Sequence, residues 1–387
     1  MLGDLILLKI FSFLPLYSLN NLMTVCKKWQ SLILESKSKR KNSINTMCVS
    51  SKISIDSSMF KQMIRSELIS LMNEWSICII FLNKNMNKET LITMNLNEKT
   101  KLDQSVSKRR RIMDRIKPTE LLTNILAYKS KFFLVYSSGV IGTNASQKIS
   151  IEMEQMQNIS FTGILFPKTG EYYRLILKHA KTEYEEIFNL KTKQDFCNYL
   201  CLSVDENIKY ILILVKKNCK VSLLQKLLNN LNKLKKASNF IVSGGFVDFV
   251  EDQESKENLI SFAIIVSKND HLYNGNNVKV AQIVLNKTKK SDFENHMFEK
   301  IKTIKDFLRN NNQNKTFAIQ ISCFAKGKDF YKEDNFEINV FKKYFPNIPI
   351  AGFFAYGEIG IAENKSSEDE ISILSYSSVF TFISLKT

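Results

Sequence analysis

Histidine is almost missing from this chain: three copies, His179, His271 and His296, in 387 residues. No cysteine spacing complements them, so the sequence assembles no metal motif and implies no metal or other cofactor. The seven cysteines, at 26, 48, 78, 197, 201, 219 and 323, form an odd set without a CxxC, which points to free thiols in a reducing compartment. Cys197 and Cys201 are spaced to share one helix face, with no histidine nearby. No apolar run reaches the roughly 18 residues of a membrane span. The opening MLGDLILLKIFSFLPLYSL has no basic n-region, is interrupted by Asp4 and Lys9, and leads to no small-residue cleavage pattern, so it is not a signal peptide. A soluble intracellular protein without a membrane partner is expected. No Ser-His-Asp set or paired acid and base stands out, so no catalytic residue is assigned and no enzyme is expected.

What is present is an ordinary globular composition, 44% hydrophobic and 24% charged. The length calls for two or three domains. A net charge of +17 favours acidic partners, but the cations are mostly lysines scattered through every segment, so no specific nucleic-acid partner is expected. The densest cluster, Lys108, Arg109, Arg110, Arg111, Arg115 and Lys117, reads either as an import or phosphate-contacting patch or as the solvated start of a helix.

Glycine and proline are scarce, with 12 and 5 copies, yet FPNIPIAGFFAYGEIG (345–360) concentrates both. Glycine opens positive φ and proline fixes φ, so a specified backbone path is expected there. One reading is an apolar strand followed by a turn around Glu358. The other is a loop at the mouth of a ligand or partner site.

The first 35 residues have helical periodicity. Leu5, Leu8 and Phe11 share a face, Pro15 ends that helix, and Ser18 can cap a second one carrying Leu19, Leu22, Val25, Cys26, Trp29 and Leu32 or Ile33. Lys27, Lys28 and Gln30 face away. This module is too small to bury a good core alone and is expected to be completed by the remaining chain or by a partner.

Beyond it, 36–58 reads as an exposed Ser- and Lys-rich connection with a short strand near 47–55. A helix over 60–72 places Ile64, Leu68, Ile69 and Met72 inward, and strands are expected at 76–82 and 91–96. From residue 119 helix-like and strand-like pieces alternate: a helix face at Leu121, Leu122, Ile125 and Leu126, strands at 132–136 and 160–166, and 172–179 pairing across the turn at 168–171. A second unit opens near 196, with a strand at 210–215, a helix over 222–236, and Phe240 to Val242 leading into Ser243, Gly244 and Gly245. That glycine pair reads mainly as a tight turn and less as an anion-binding nest. Strands at 259–266, 278–285, 317–324 and 380–385 and a helix over 292–309 complete the pattern. Cys323, at a strand end near Lys326 and Lys328, is either an inert buried thiol or one whose pKa the lysines lower.

Two resemblances follow. The run from Asp4 through the Leu14-Pro15 step, Leu19 and Leu22 to Val25-Cys26-Lys27-Lys28-Trp29 and Leu32 resembles an F-box, although this chain starts almost inside the first helix, so its first turn is expected to be incomplete. Ser243-Gly244-Gly245 with Val247-Asp248, Ser322-Cys323 with Lys326-Gly327, the pair Phe330-Tyr331, Phe341 with Tyr344-Phe345-Pro346, and Gly352-Phe353-Phe354 with Gly357-Glu358-Ile359-Gly360 are similar to the FIST domain, chiefly its C-terminal half. Phe324-Ala325-Lys326 departs from the glycine-rich, arginine-containing turn usual there, which weakens any ligand site.

The resemblances imply a multidomain α and β protein: an all-α F-box at 1–35, the connection at 36–58, a FIST N-terminal-like mixed α/β unit at 59–195 and a FIST C-terminal domain at 196–387. They imply a non-catalytic receptor subunit of an SCF-type cullin-RING ubiquitin ligase, acting in cytoplasm and nucleus to promote ubiquitination and proteasomal degradation. Leu5, Leu8, Phe11, Leu14, Pro15, Leu19, Leu22, Val25 and Trp29 would hold or form the surface for the Skp adaptor of the cullin-RING core. Substrate proteins, nuclear regulators among them, or a ligand would meet the region of Gly244, Gly245, Asp248, Cys323, Lys326, Gly327, Gly352, Gly357, Glu358 and Gly360. The alternative is a small-ligand-sensing FIST module with a degenerate F-box.

Overall fold

The computed structural model describes residues 2–14, 16–39, 45–50, 62–64, 75–84, 91–92, 115–116, 131–144, 149–153, 160–167, 172–180, 190, 192–203, 205–252, 259–268, 277–286, 289–304, 307, 314–362 and 370–386. Three helices open the chain: α1 (Leu2–Phe13), α2 (Leu16–Leu22) and α3 (Lys27–Lys39). Then come β1 (Asn45–Ser50), β2 (Trp75–Asn83), the short β3 (Leu91–Ile92) and β4 (Arg115–Ile116), β5 (Lys131–Ser137), β6 (Val140–Thr143), β7 (Ser150–Met153), β8 (Ser160–Pro167) and β9 (Tyr173–His179). The next stretch holds α4 (Lys193–Tyr199), β10 (Glu206–Lys216), α5 (Val221–Ala237), β11 (Ile241–Val247), β12 (Phe249–Glu251), β13 (Ile260–Lys268), β14 (Val278–Asn286) and α6 (Lys290–Thr303). The last holds β15 (Asn314–Cys323), a 3-10 turn (Phe324–Lys326), α7 (Lys328–Tyr331), α8 (Phe336–Tyr344), β16 (Ile350–Ala355), β17 (Glu358–Ala362), β18 (Glu370–Leu374) and β19 (Ser377–Lys386). The protein is mixed α/β, as expected.

One unit is used three times. A strand, its parallel neighbour and an antiparallel third strand recur as β2, β5 and β8, as β10, β11 and β13, and as β15, β16 and β19. In the second and third units the parallel pair is bridged by helices, α5 and α7–α8, as a parallel connection requires. Each unit then lends strands to another. The strands after β5, β6 and β7, extend the third sheet beside β16; β12 extends the first sheet beside β5; β17 and β18 extend the second sheet beside β11. The antiparallel edges are exchanged too, with β9 on β13 and β14 on β19.

This exchange corrects the local pairing expected for 172–179. β9 crosses to the second sheet and pairs with β13 over seven residues, Tyr173↔Ser267 to His179↔Ser261, not with β8. All three large sheets therefore take strands from both sides of residue 195.

Alternation of side chains sorts the cores. Ile79 and Phe81 of β2, Tyr210, Leu212 and Leu214 of β10, and Phe317, Ile319 and Ile321 of β15 meet in one central core among the sheets. The intervening residues face outer layers: Ile211, Ile213 and Val215 pack with Leu224, Leu227, Leu228 and Leu231 of α5, and Ala318 packs with Phe293 and Met297 of α6 and Ile338 and Phe341 of α8. Both sheet faces are covered, which is why these strands read as continuous apolar runs.

Two glycine readings are corrected as well. Gly244 and Gly245 lie inside β11, with Gly244 paired to Ile213 of β10, and they form neither a tight turn nor an anion nest. A Cβ on Gly244 would stand 2.1 Å from the Ile213 carbonyl oxygen, and one on Gly352 of β16 would stand 1.8 Å from that of Gln320. In both places a parallel pair approaches too closely for any side chain. Gly360 is likewise within β17, and Gly357 sits at the bend before it.

The helix expected over 60–72 is described only at 62–64, where Ile64 is buried. The positions Lys108–Arg111 and Lys117 and the helix face at 121–126 lie outside the described residues, while Arg115 begins β4.

Candidate functional site

The helical module splits where a single second helix was expected. Ser18 lies within α2 rather than capping it, and the chain turns at 23–26 before α3. Thr24 Oγ1 donates to the Asn21 carbonyl oxygen at 2.8 Å, and Cys26 Sγ accepts the Trp29 N–H at 3.5 Å, so side chains take over backbone groups at the break. Phe11, Leu19 and Ile33 form the buried centre, with Leu7, Leu14, Leu22, Met23, Trp29 and Leu32 packed around it. The Phe11 and Trp29 rings meet edge to face, 5.4 Å apart.

These positions divide the residues expected to serve adaptor binding. Phe11 and Leu19 are core, Leu14, Leu22 and Trp29 brace it, and Leu8 is half-buried. Pro15 lies outside the described residues. Leu5 at 65% and Val25 at 59% exposure are surface, joined by Ile6 at 53%, Ile10 at 49% and Leu34 at 51%. Sequence reading missed these last three. Ile6 and Ile10 stand one turn apart on the side of α1 away from Phe11, a second apolar stripe that a one-face reading overlooks. Helix α1 is thus apolar on nearly every side, a pattern that goes with burial against something further.

In the β units, the expected site residues separate into two clusters and several solitary positions. The first cluster lies where the C-terminal ends of parallel strands converge. Lys217, after β10, donates to Asp248 Oδ1 at 2.6 Å, and the Tyr356 hydroxyl reaches the same carboxylate at 3.3 Å. Lys84, after β2, donates to the Tyr356 hydroxyl at 3.2 Å. Phe324 lies 5.3 Å from the Tyr356 ring and is 39% exposed. Asp248 holds the Lys217 ammonium above the ordinary lysine range.

The second cluster is buried. Glu337 of α8 accepts from Gln320 Nε2 (3.0 Å), Ser322 Oγ (2.7 Å), the Tyr331 hydroxyl (2.6 Å) and Ser378 Oγ (2.6 Å). Lys326 Nζ completes it, 3.2 Å from Glu337 Oε1 and 2.9 Å from Ser378 Oγ, with both charged side chains 1% exposed. Lys326 is therefore an internal countercharge, not a group presented to a ligand. None of Gln320, Ser322, Glu337 and Ser378 was expected as a site residue, although Ser322 stands in the FIST-like motif. Gln320 and Ser322 fall on alternate positions of a strand whose other face is apolar, and that polar spacing was the available signal.

Glu358 is buried beside this cluster. Its Oε2 accepts from the Ser377 hydroxyl at 2.7 Å and the Ser377 N–H at 3.2 Å, while Oε1 has no hydrogen-bond partner. Burial pushes its carboxyl up to about 7, against the opposing pull of Ser377, Cys323 and Lys326. The same surroundings favour the inert buried thiol of the two readings for Cys323: burial and the Glu358 charge raise its thiol rather than lowering it. Gly245 pairs with Glu358, but Gly352 stands in the middle of β16, and Gly327 caps α7 in an extended conformation.

No group of histidine, cysteine and carboxylate side chains suited to a metal ion occurs among the described residues.

Residues 1–41 match the F-box domain, and residues 222–361 match the FIST C domain. The F-box match covers α1, α2 and α3; the FIST C match runs from α5 to β17 and ends just after Glu358 and Gly360. Among curated relatives, F-box only protein 22 of Homo sapiens and of Pongo abelii are each 24% identical over 159 residues. The match covers 40% of this chain and 37% of each relative, so it spans little more than a third of their length. Among solved structures, a cyanuric acid hydrolase from A. caulinodans aligns over 89% of this chain and 100% of its own at 5% identity, but its TM-score of 0.36 carries no argument. The FIST C match leaves outside it Ser377 and Ser378, which hold Glu358 and Glu337, so the buried cluster and Glu358 beside it depend on chain beyond the matched region.

Proposed function

We propose that this protein is the substrate-recognition subunit of an SCF-type cullin-RING ubiquitin ligase, docking on the Skp adaptor through its F-box and holding target proteins on its FIST region for ubiquitination and degradation. The observation that carries this reading is the F-box match over a three-helix module whose apolar residues Leu5, Ile6, Ile10, Val25 and Leu34 stand about half exposed or more. Fully burying one such side chain contributes roughly 1.5–3 kcal/mol, so even partial coverage of five offers several kcal/mol to a partner.

A receptor of this kind needs no catalytic group of its own. It holds a lysine-bearing target near a charged carrier enzyme and raises the local concentration of the reacting pair. We place its action in cytoplasm and nucleus; no helix among the described residues is long and apolar enough to cross a membrane. Small-ligand sensing draws no support from Gly244 and Gly245, which are strand residues, or from Lys326 and Glu358, which are buried and held by protein groups.

Co-purification of the full chain with the Skp adaptor and cullin tests the proposal. The double variant Leu5→Asp/Ile6→Asp, both exposed, should lose the adaptor while keeping its circular dichroism and melting temperature. An intact, folded parent chain that captures no adaptor would refute it.

A further inference from the structure

The three parallel pairs end in register, at Asn83 with Ser137, Lys216 with Val247 and Cys323 with Ala355. The next residues therefore occupy matching places: Lys84, Lys217 and Phe324 after β2, β10 and β15, and Ser138, Asp248 and Tyr356 after β5, β11 and β16. Backbone bonds tie these ends together. The Asp248 N–H donates to the Tyr136 carbonyl oxygen at 2.8 Å, the Tyr356 N–H to that of Phe246 at 3.0 Å and the Phe354 N–H to that of Gly139 at 3.0 Å. The centre of the Tyr356 ring lies 5.8 Å from Lys84 Nζ, 5.4 Å from Lys217 Nζ and 5.3 Å from the Phe324 ring. Each β unit thus brings a side chain to one place, and that place is open: the Lys217 side chain is 54% exposed and Phe324 39%, while Lys84 and Tyr356 are half-buried.

Each lysine ammonium carries three donors. Lys84 gives one to the Tyr356 hydroxyl and Lys217 gives one to Asp248, and among the described residues no other protein acceptor takes the rest. Asp248 offsets one of the two positive charges, whereas Lys84 meets only a neutral hydroxyl among the described residues. We infer that a target protein docks here through an acidic side chain held by Lys84 and Lys217, with an adjacent apolar side chain on the Phe324 ring. Unused ammonium donors beside an unmatched charge suit a carboxylate, and charge-assisted hydrogen bonds are the strong ones. The exposed Phe324 ring beside them is the kind of aromatic anchor that carries interface energy. Asp248 repels a nucleic-acid strand, which brings a charge with every nucleotide, but leaves the lysines enough positive sign for a single carboxylate. The carboxyl ends of parallel strands are also where α/β sheets hold what they bind. The inference rests on the receptor reading for the nature of the occupant, a target protein.

The test uses the full chain and two fluorescein-labelled glycine-serine peptides, one centred on aspartate-phenylalanine-glutamate and the other on asparagine-phenylalanine-glutamine, followed by fluorescence anisotropy. The acidic peptide should bind at least about tenfold more tightly than the neutral one, the effect of one good charge-assisted contact. Lys84→Gln/Lys217→Gln should abolish that preference, while Lys226→Gln/Lys233→Gln, an equal change of charge on the exposed side of α5, should leave it intact. Asp248→Asn should tighten the acidic peptide at least about threefold, because Lys217 is released to it, and Glu299→Gln on α6 should not. Phe324→Ala should weaken both peptides alike. Equal binding of the two peptides, a preference that survives the loss of both lysines, or no gain from Asp248→Asn would each overturn the assignment. Displacement of the peptide by an equal concentration of thymidylate oligonucleotide would give the surface to single-stranded nucleic acid instead and overturn it too. Adaptor co-purification is scored on the same preparations. Absence of the acidic preference with the adaptor still bound sinks the docking surface alone, and absence of the adaptor with the preference intact sinks the receptor reading alone.

Discussion

Replacing Glu358 by glutamine should stabilise the protein at neutral and alkaline pH, and by an amount that depends on pH in a defined way. The carboxyl is buried, one oxygen is unpartnered, and desolvation raises its pKa from 4.5 to about 7. At roughly 1.4 kcal/mol per pH unit, this displacement corresponds to about 3 kcal/mol. The folded state binds the proton more tightly than the unfolded state. Below pH 4.5 both states are protonated and the group makes no difference. As pH rises toward 7 the unfolded chain ionises first, so stability falls, and above pH 7 the whole penalty of about 3 kcal/mol is present. Glutamine keeps an acceptor for the Ser377 N–H and removes the titration. Denaturant unfolding of parent and Glu358→Gln, followed by circular dichroism at pH 5, 6, 7 and 8, should give curves that diverge steadily, with the variant ahead by about 3 kcal/mol at pH 8. Taking the difference cancels the titrating groups that Glu358 does not touch. Parallel curves, or a variant less stable at pH 8, would refute the account of Glu358 as a desolvated carboxylate.

The remaining predictions concern packing and surface. Lys326→Met should destabilise the protein by about 3–5 kcal/mol, because it leaves Glu337 buried without its cation, and Lys326→Met/Glu337→Gln should recover part of that loss in the same unfolding assay. Gly352→Ala should cost at least about 2 kcal/mol, since the added carbon meets the Gln320 carbonyl oxygen and adjacent strands must part; a change within about 0.5 kcal/mol would contradict that close approach. On the receptor reading, Leu19→Asp should unfold the opening helical module and abolish adaptor binding with it, whereas Val25→Asp, on the surface, should weaken that binding without lowering the melting temperature.

Much of the chain was legible because its signals are local. The apolar runs at 76–82, 132–136, 210–215 and 317–324 mark buried strands, and the leucine spacing over 224–234 marks the amphipathic helix that covers one of them. Leu14 and Trp29 with their neighbours marked the F-box, and Gly352 to Gly360 marked the FIST C region. Where those readings failed, the deciding contact came from elsewhere in the chain. Tyr173 to His179 looks like the second arm of a local hairpin, but its partner is β13, more than 80 residues on. Gly244 and Gly245 look like a turn until the carbonyl of Ile213 is placed against them. Cys323 left two readings open, and the buried thiol prevails over the lysine-activated one because Lys326 bonds to Glu337 while burial and the Glu358 charge raise the thiol.

The sequence by itself determined the alternation of strands and helices, the apolar helical module at the start and the family signatures, because each depends on residues a few positions apart. Only the tertiary structure decided the threefold repetition of the β unit, the exchange of strands among its sheets and the burial of Lys326, Glu337 and Glu358. Strand partners and the desolvation of a charge are set by residues far apart in the chain, and spacing along the chain does not encode them.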